Sequence, residues 1–221
     1  MNALVTTIKD KLTKPLSNKY NAFTIHNDSD EQVLFSIGFL KESTISCSDN
    51  GRISNTDGGA QWVEQTGFAY PRNNLYAAPG SFDINITNKY NLSLLVIYST
   101  GNFGLSLDGL KFCPELNEIT VRNLKVVGDI INLNNSIKLT SAKFAGSSAN
   151  GEILHLAEDL LKHGKTTNLT IDINSVIAVN GVKYSPYTTV TCDYESEIGS
   201  VIVSVSSNKF KYKNGIWENI S

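Results

Sequence analysis

The segment from Leu110 to Ile130, LKFCPELNEITVRNLKVVGDI, decides the fold when it is placed over the segment from Leu133 to Ile153, LNNSIKLTSAKFAGSSANGEI. The offset is constant, and apolar positions coincide along it: Leu110 with Leu133, Leu116 with Leu139, Ile119 with Ala142, and Val121 with Phe144. A fixed period of about 20 to 29 residues with L-x-x-L-x-L character is typical of a leucine-rich repeat, which places one short strand and one return segment in each turn. The alternative is a chance alignment of two segments. Gly104 to Leu107 lies about one such period before Gly128 and is a candidate for a degenerate earlier turn.

A helix is predicted directly after these repeats, from Glu152 to His163. Its apolar residues form one stripe: Ile153, Leu156, Ala157, Leu160 and Leu161. Gly164 supplies the stop that commonly follows a helix. Because a solenoid exposes apolar surface at its end, we expect this helix to cap the repeats.

Strand patterns flank the repeats on both sides. Val33, Phe35, Ile37 and Phe39 alternate with polar residues, which indicates a strand with one buried face. Near the C-terminus, Asn180-Gly181 and Asn214-Gly215 each separate two apolar runs and predict tight type I′ hairpins. We therefore expect a mainly β fold with minor α, divided into four parts: an N-terminal helix or arm (1–19), a β-sandwich-like domain (20–103), a leucine-rich-repeat-like segment with its capping helix (104–166), and a C-terminal antiparallel β region (167–221).

Composition restricts the class of protein. Asn, Ser and Thr make up about 29% of the chain, against 18% for charged residues. A surface of amides and hydroxyls is common in secreted and virion proteins, and an AT-rich genome also favours Asn. The net charge of −2 argues against binding of nucleic acid, because phosphate contacts need clustered Lys and Arg. Lys209, Lys211 and Lys213 alternate with aromatics and predict the solvent face of a strand.

Catalytic and metal-binding templates find no match in the sequence. The motifs GxSxG, HExxH, the Walker loop and GxGxxG do not occur. The three cysteines are widely spaced, which predicts buried free thiols rather than disulfides or a zinc site. We expect no enzyme activity, no cofactor and no metal. Two alternatives stay open: a calcium site at residues 27–30 or 49–51, and a pair of distant carboxylates drawn from Asp108, Glu115, Glu118 and Asp129.

Three stretches carry a family resemblance: CPELNEITVRNLKVVGDI (113–130), GEILHLAEDLLKHGKTTNLTI (151–171) and VIAVNG (176–181). They resemble leucine-rich-repeat-like proteins of Bacteroides-infecting phages, above all the crAss-like group. Cys113-Pro114 matches the start of the repeat in that group, Gly128-Asp129-Ile130 its end, and Gly164-Lys165-Thr166 the exit of the helix. The resemblance covers roughly residues 95 to 185 and implies a structural protein of a virion, without site residues of its own.

We therefore expect a non-enzymatic virion protein that decorates the capsid or is associated with the neck or tail. The N-terminus lacks a signal-peptide pattern, which suits a protein made in the host cytoplasm and released by lysis. The alternatives are a bacterial surface adhesion module and an unrecognised glycoside hydrolase. Expected partners are other virion proteins and further copies of the chain, with a host-surface glycan as a further candidate, and neither nucleic acid nor membrane insertion.

Two segments are expected to bind these partners. The first is a short N-terminal helix whose apolar face includes Leu4 and Ile8 and which is too short to be stable alone. The second is the long segment between Ser48 and Gly80, predicted to be a loop. It contains Trp62, Phe68, Tyr70 and Tyr76, and aromatic side chains often anchor interfaces. The alternative is that both segments pack on the chain's own sandwich.

Overall fold

The computed structural model describes residues 23–39, 45–47, 53–55, 73–86, 93–99, 103–124 and 128–221. Within these residues the fold is mainly β, with one α-helix, α1 (Ile153–Lys162), and three short 3-10 turns, Asp108–Phe112, Ile130–Leu133 and Ser196–Ile198. The strands are β1 (Phe23–Asn27), β2 (Val33–Phe39), β3 (Ile45–Cys47), β4 (Ile53–Asn55), β5 (Asn73–Ala77), β6 (Gly80–Ile86), β7 (Leu94–Ser99), β8 (Phe103–Leu105), β9 (Glu118–Leu124), β10 (Ser141–Ser147), β11 (Leu169–Ile173), β12 (Ala178–Val179), β13 (Val182–Lys183), β14 (Thr188–Glu195), β15 (Ser200–Val205), β16 (Asn208–Lys213) and β17 (Ile216–Asn219).

One mixed sheet of 11 strands runs through most of the described chain, in the order β17-β16-β15-β14-β11-β10-β9-β7-β2-β5-β4. A second sheet contains four strands of the N-terminal half, in the order β3-β6-β1-β8. Strands β2, β4, β5 and β7 of the large sheet and nearly all of the four-stranded sheet lie within the predicted β-sandwich-like domain. The large sheet is continuous across the predicted boundary between residues 103 and 104, because β7 pairs directly with β9. The domain division stays a prediction.

The centre of the large sheet is a run of four parallel strands, β7, β9, β10 and β11. Glu118 pairs with Ser141, which is the offset expected from the sequence. The offset is slightly longer on one side, where Leu94 pairs with Glu118. It is clearly longer on the other side, where Ser141 pairs with Thr170, because α1 is part of that connection. The parallel register therefore begins one turn earlier than the aligned segments, at β7.

Polar side chains hold successive turns in this register. Thr140 Oγ1 donates to Asn117 Oδ1 at 2.7 Å, and the buried Ser136 Oγ donates to the Cys113 carbonyl at 3.2 Å. Both pairs have the same offset in the sequence as Glu118 and Ser141. Other side chains make similar links at offsets of 23 or 24 residues: Lys138 with Glu115, Asn135 with the Lys111 carbonyl, and Asn132 with Asp108. These bonds connect the segments between strands, as the strand ladders connect the strands.

The core lies under one face of this sheet. The side chains predicted to point inward, Leu116, Leu139, Val121 and Phe144, are all fully buried, which confirms that part of the sequence interpretation. The pairing shifts after Lys143, so that Gly146 lies opposite Arg122. Cys113 and Cys192 are buried free thiols, as expected.

Helix α1 confirms the predicted helix at both ends. The Glu152 carboxylate caps the N-terminus by accepting the Leu154 N–H at 3.2 Å, and His163 is the C-terminal cap. Gly164 follows with φ +87°, the left-handed conformation that glycine adopts at little cost. Five apolar residues of the helix are buried. The helix packs against β15 and the 3-10 segment Ile130–Leu133.

The C-terminal region is antiparallel, as expected, from β11 through β14, β15 and β16 to β17. Both Asn-Gly pairs form the predicted turns, with positive φ at Asn180 (52°), Gly181 (75°), Asn214 (54°) and Gly215 (83°). A third two-residue turn joins β15 to β16 at Ser206, φ 53°. The lysines of β16 lie on its solvent side, whereas Phe210 and Tyr212 are buried.

The prediction of a continuous loop from Ser48 to Gly80 is wrong for its described parts. Ile53–Asn55 and Asn73–Ala77 are strands of the large sheet, and Gly80 begins β6. These strands are short and carry few apolar residues, so backbone pairing with neighbours forms them without a period-two pattern. Residues 56–72 lie outside the described residues.

Candidate interaction surface

The residues predicted to bind partners lie mostly outside the part of the chain that the structure describes. Leu4, Ile8, Trp62, Phe68 and Tyr70 all belong to that group. Tyr76 is described and is half-buried in β5, between Leu34 of β2 and Ser54 of β4. Its backbone is therefore committed to the sheet on both sides. Binding through these segments stays a prediction.

The solvent face of the large sheet carries aligned rows of polar side chains. Side chains alternate between the faces of a strand, so each pair of strands aligns its outward residues in rows. One row runs across four strands: Glu118, Ser141, Thr170 and Thr191. All four residues are exposed or partly exposed, while Ile119, Ala142, Ile171 and Val190 in the adjacent row are buried.

A second outward row lies beside the first and combines hydroxyls with charges. It contains Thr120, Lys143, Asp172 and Thr189. Thr189 Oγ1 donates to Asp172 Oδ1 at 2.9 Å, which holds that carboxylate in place. We call these eight residues the outer rows. At a strand spacing of about 4.8 Å they present a regular array of hydrogen-bonding groups.

The carboxylates considered as catalytic candidates are mostly engaged within the fold. Asp108 accepts the Asn132 amide at 3.2 Å, Glu115 pairs with Lys138 at 2.6 Å, and Asp129 Oδ1 accepts the Ile131 N–H at 2.8 Å. Glu118 is exposed in the first outer row. The parallel register explains these positions, because each carboxylate lies on a turn or strand that stacks on an equivalent one.

The polar turn after β1 is held by its own side chains. Asn27 is buried, its amide donates to the carbonyls of Glu31 and Ala77 at 2.8 Å each, and its Oδ1 accepts the Ser29 N–H at 3.0 Å. His26 Nδ1 lies 2.8 Å from Ser81 Oγ. Among the described residues, no group of three or more His, Cys, Asp or Glu is arranged to hold a metal ion. Residues 49–51 lie outside them.

Lys165 is a charged residue that is fully buried, and it lies just after Gly164, where the chain leaves α1. Its ammonium donates to the Ile137 carbonyl (3.1 Å), to the Leu139 carbonyl and to Thr167 Oγ1 (3.0 Å). It also lies 5.4 Å from the centre of the Tyr194 ring, within the range of a cation–π contact. Lys165 therefore joins the turn before β10, the exit of α1 and β14.

Burial governs the protonation of this cluster. Desolvation lowers the pKa of Lys165 from 10.5 to about 8, so the amine remains charged at neutral pH, in keeping with its acceptors. Desolvation also raises the pKa of the Cys192 thiol to about 12 and raises the pKa of Tyr194. A thiol with a raised pKa is a poor nucleophile. The cluster is enclosed and has the properties of a structural site.

Sequence reasoning noted Lys165 only as part of the matched Gly-Lys-Thr exit. The available signal was its position, one residue after the glycine that ends α1. There the chain turns back toward the sheet, and the lysine side chain can reach the free carbonyls of the preceding turn. Sequence does not reveal which carbonyls are free, because that depends on the three-dimensional stacking.

Exposed apolar side chains occur near two loops at opposite ends of the sheet. Val182 and Tyr187 follow the Asn180-Gly181 turn, and Tyr187 is 75% exposed with φ +67°. A bulky residue in this conformation is strained. At the other end, Ile198 and Ile216 flank the β14–β15 and β16–β17 connections.

No helix among the described residues is long and apolar enough to cross a membrane. Comparison with known proteins gives no further identification: no family model matches the chain, and no curated protein or solved structure does so.

Proposed function

We propose that this protein works by binding other proteins through a leucine-rich-repeat-like solenoid, of which the parallel strands β7, β9, β10 and β11 are successive turns. The observation that supports this proposal best is the outer rows, a polar solvent face on β9, β10, β11 and the adjoining β14, backed by a continuous core. Two of its turns repeat a strand and a 3-10 segment at a nearly constant offset. Solenoids typically use such extended faces for binding.

The setting we propose is a phage virion, in which the protein decorates the capsid or belongs to the neck or tail. The resemblance to proteins of the crAss-like phages supports this setting, as does a surface rich in amides and hydroxyls. Partners are then other virion proteins and further copies of the chain. The side-chain bonds between turns suit such a role, because a rigid surface loses little conformational entropy on binding.

A bacterial surface adhesion module is the second candidate. The outer rows support the adhesion module, because hydroxyl, carboxylate and ammonium groups in regular rows also fit a host-surface glycan. The third candidate, a glycoside hydrolase, would need two carboxylates about 5 to 9.5 Å apart across a sugar-binding cleft. The partners described above for Asp108, Glu115 and Asp129 argue against that use.

Mass spectrometry of purified phage particles tests the setting. We expect peptides of this chain at a constant ratio to the major capsid protein across density-gradient fractions. Peptides found in the membrane or cell-wall fraction of uninfected bacteria would instead establish the adhesion module. Turnover of polysaccharide or peptidoglycan that one carboxylate substitution abolishes would establish the hydrolase.

A charge-reversal pair tests the binding face. Lys143→Glu changes an exposed residue of the outer rows, whereas Lys183→Glu changes an exposed residue of the β12–β13 hairpin. Incorporation of the first variant into particles should fall at least about tenfold, because a reversed charge opposite a partner costs several kcal/mol. The second should be incorporated normally. Equal incorporation of both variants at equal stability would contradict binding through the outer rows.

A further inference from the structure

The C-terminal strand β17 is the last strand of the described sheet. The Ile220 N–H donates to the Lys209 carbonyl at 2.9 Å, and Lys213 lies opposite Ile216 across the two-residue turn. In an antiparallel pair, the residues that bond to one neighbour alternate with those that face away. The backbone groups of Trp217 and Asn219 therefore point away from β16, along the edge of the sheet.

The solvent-side chains of this edge have a symmetric order. Ile216 is 61% exposed, Glu218 is exposed, and Ile220 is 43% exposed. All three lie on the same face because they are two residues apart. The pattern Ile-x-Glu-x-Ile is unchanged when the strand is reversed about Glu218. A second copy in antiparallel orientation thus presents the same residues.

We propose that β17 pairs with β17 of a second copy of this chain, antiparallel and with the two-fold axis at Glu218. In this register Trp217 lies opposite Asn219 of the second copy, so the outward-pointing backbone groups on both strands meet in hydrogen-bonded pairs. Ile216 of each copy lies opposite Ile220 of the other copy. These are the closely spaced, non-hydrogen-bonded pairs, whose Cα atoms are about 4.5 Å apart.

Charge decides how strong this pairing is. The two Glu218 side chains lie opposite each other at the axis, and like charges in that position are unfavourable. Lys211 lies directly beside Glu218 on β16, so the row across the interface is Lys211, Glu218, Glu218 and Lys211. The flanking lysines offset part of the repulsion. The two isoleucine pairs cover the most exposed apolar side chains of this edge.

This interface describes how two copies of the chain would bind each other, which is part of the proposed function. The inference therefore rests on that proposed function. A pairing of four or five residues per strand is small, so we expect a weak dimer whose population rises with protein concentration. If β17 does not pair with a second copy, the chain can still be detected in particles. Detection of the chain in particles does not show that β17 pairs. The two tests are independent.

Disulfide trapping reads the register directly. In Glu218→Cys the two thiols lie opposite each other at the axis, at a Cα separation that a disulfide spans. In Asn219→Cys the thiol lies opposite residue 217, away from its own equivalent. With oxidised glutathione, we expect Glu218→Cys to form a covalent dimer at least about tenfold faster than Asn219→Cys or the unsubstituted chain. Equal rates for the two variants would overturn the proposal.

A proline pair separates backbone pairing from loss of the side chain. Asn219→Pro removes an N–H that points outward and leaves the ladder to β16 intact, whereas Asn219→Ala keeps that N–H. Both lose the Asn219 side chain, which accepts the Ser221 N–H at 3.0 Å. Sedimentation equilibrium should show dimer for Asn219→Ala and monomer for Asn219→Pro. A dimer in both variants would refute pairing through this edge.

Glu218→Gln should strengthen the dimer, because it removes the like charges at the axis while keeping the length of the side chain. The dimer should tighten about two- to fivefold. If the edge serves a strand of another virion protein instead, the unsubstituted chain stays monomeric at every concentration and Glu218→Cys forms no covalent dimer. That outcome would also overturn self-pairing.

Discussion

Thr140 donates a hydrogen bond to the side chain of Asn117, 23 residues earlier in the chain, at 2.7 Å. The backbone repeats this relation, since the N–H groups of Thr140 and Ser141 both donate to the Asn117 carbonyl. Asn117 in turn donates its own N–H to the Ser93 carbonyl. The segments that precede β7, β9 and β10 are thus tied together at the same point, just before each parallel strand begins. The segments before these strands are therefore joined by hydrogen bonds, as the strands are.

Phe144→Ala should reduce the free energy of unfolding by about 3 to 5 kcal/mol, because it leaves a cavity under the parallel strands. Phe144 is fully buried. Lys143→Ala, on the opposite face of the same strand, is the control and should change stability by less than about 0.5 kcal/mol. Urea denaturation measures both. An unchanged unfolding midpoint for Phe144→Ala would show that this residue is not part of the core.

Glu152→Ala should loosen the β12–β13 hairpin. The carboxylate accepts the N–H groups of Asn180 (2.8 Å) and Gly181 (2.9 Å), in addition to the cap bond from Leu154. Removing it deletes a helix cap and two hydrogen bonds to exposed N–H groups that water can then solvate, at a cost of about 1 kcal/mol. Glutamine should not rescue the loss fully, since its NH₂ group would face one of the N–H donors.

Hydrogen exchange measures this change at single amides. The N–H groups of Asn180 and Gly181 should exchange at least about tenfold faster in Glu152→Ala. Glu115→Ala is the matched control, because it removes a carboxylate from an exposed ion pair with Lys138. If the two variants give equal protection at residues 180 and 181, Glu152 does not hold the hairpin.

Trp217→Phe should make the stability of the fold less sensitive to acid, because the Trp217 indole helps to lower the pKa of Glu158. Burial acts to raise the pKa of Glu158, but hydrogen bonds from Lys162 and from the Trp217 indole outweigh it and hold the pKa below its ordinary value of 4.5. A lowered carboxyl pKa stabilises the fold above 4.5, and that contribution is lost as the pH falls further. The indole N–H lies 3.1 Å from Glu158 Oε2.

Thermal unfolding between pH 6 and pH 3 checks this prediction. The unsubstituted chain should lose more stability over this range than Trp217→Phe, which keeps the aromatic ring but lacks the donor. Tyr187→Phe, at an exposed tyrosine, is the control for the loss of a polar aromatic group. Identical pH profiles for the unsubstituted chain and Trp217→Phe would mean that the indole does not stabilise the carboxylate.

Local sequence signals predicted the elements that depend on neighbouring residues. The helix from Ile153 to Lys162 and its glycine stop follow from an apolar stripe and a left-handed residue. The Asn180-Gly181 and Asn214-Gly215 turns follow from the φ preferences of those residues. The constant offset between the two aligned segments predicted the pairing of Glu118 with Ser141, because equivalent residues stack when turns have equal length.

The parts that sequence did not predict depend on distant contacts. Strand β7 belongs to the parallel run although it precedes both aligned segments, since Leu94 lies opposite Glu118 of β9 in parallel register. The Ser206 turn lacks an Asn-Gly signal and forms because β15 and β16 pair on either side of it. The Lys165 site needs three segments that meet only in the folded chain.

Lys165 should make the protein more stable as the pH rises from about 8 to about 9. Burial lowers its pKa from 10.5 to about 8, so above pH 8 the folded chain releases a proton that the unfolded chain retains. Stability rises with pH wherever the unfolded state binds more protons, by at most about 1.4 kcal/mol per pH unit for one group. Cys192 acts in the opposite direction only above its ordinary value of 9.0, because its folded pKa is about 12.

Lys165→Met isolates this contribution, since methionine fills a similar volume without a titratable group. The variant should lose the rise between pH 8 and pH 9. At pH 7 it gains from the absence of a buried charge but leaves the carbonyls of Ile137 and Leu139 without the ammonium that they accept. Urea denaturation at half-unit steps from pH 7 to pH 9 gives both slopes. If the unsubstituted chain and Lys165→Met have the same slope, the ammonium group does not titrate near pH 8 in the folded chain, and its three acceptors hold it charged throughout this range.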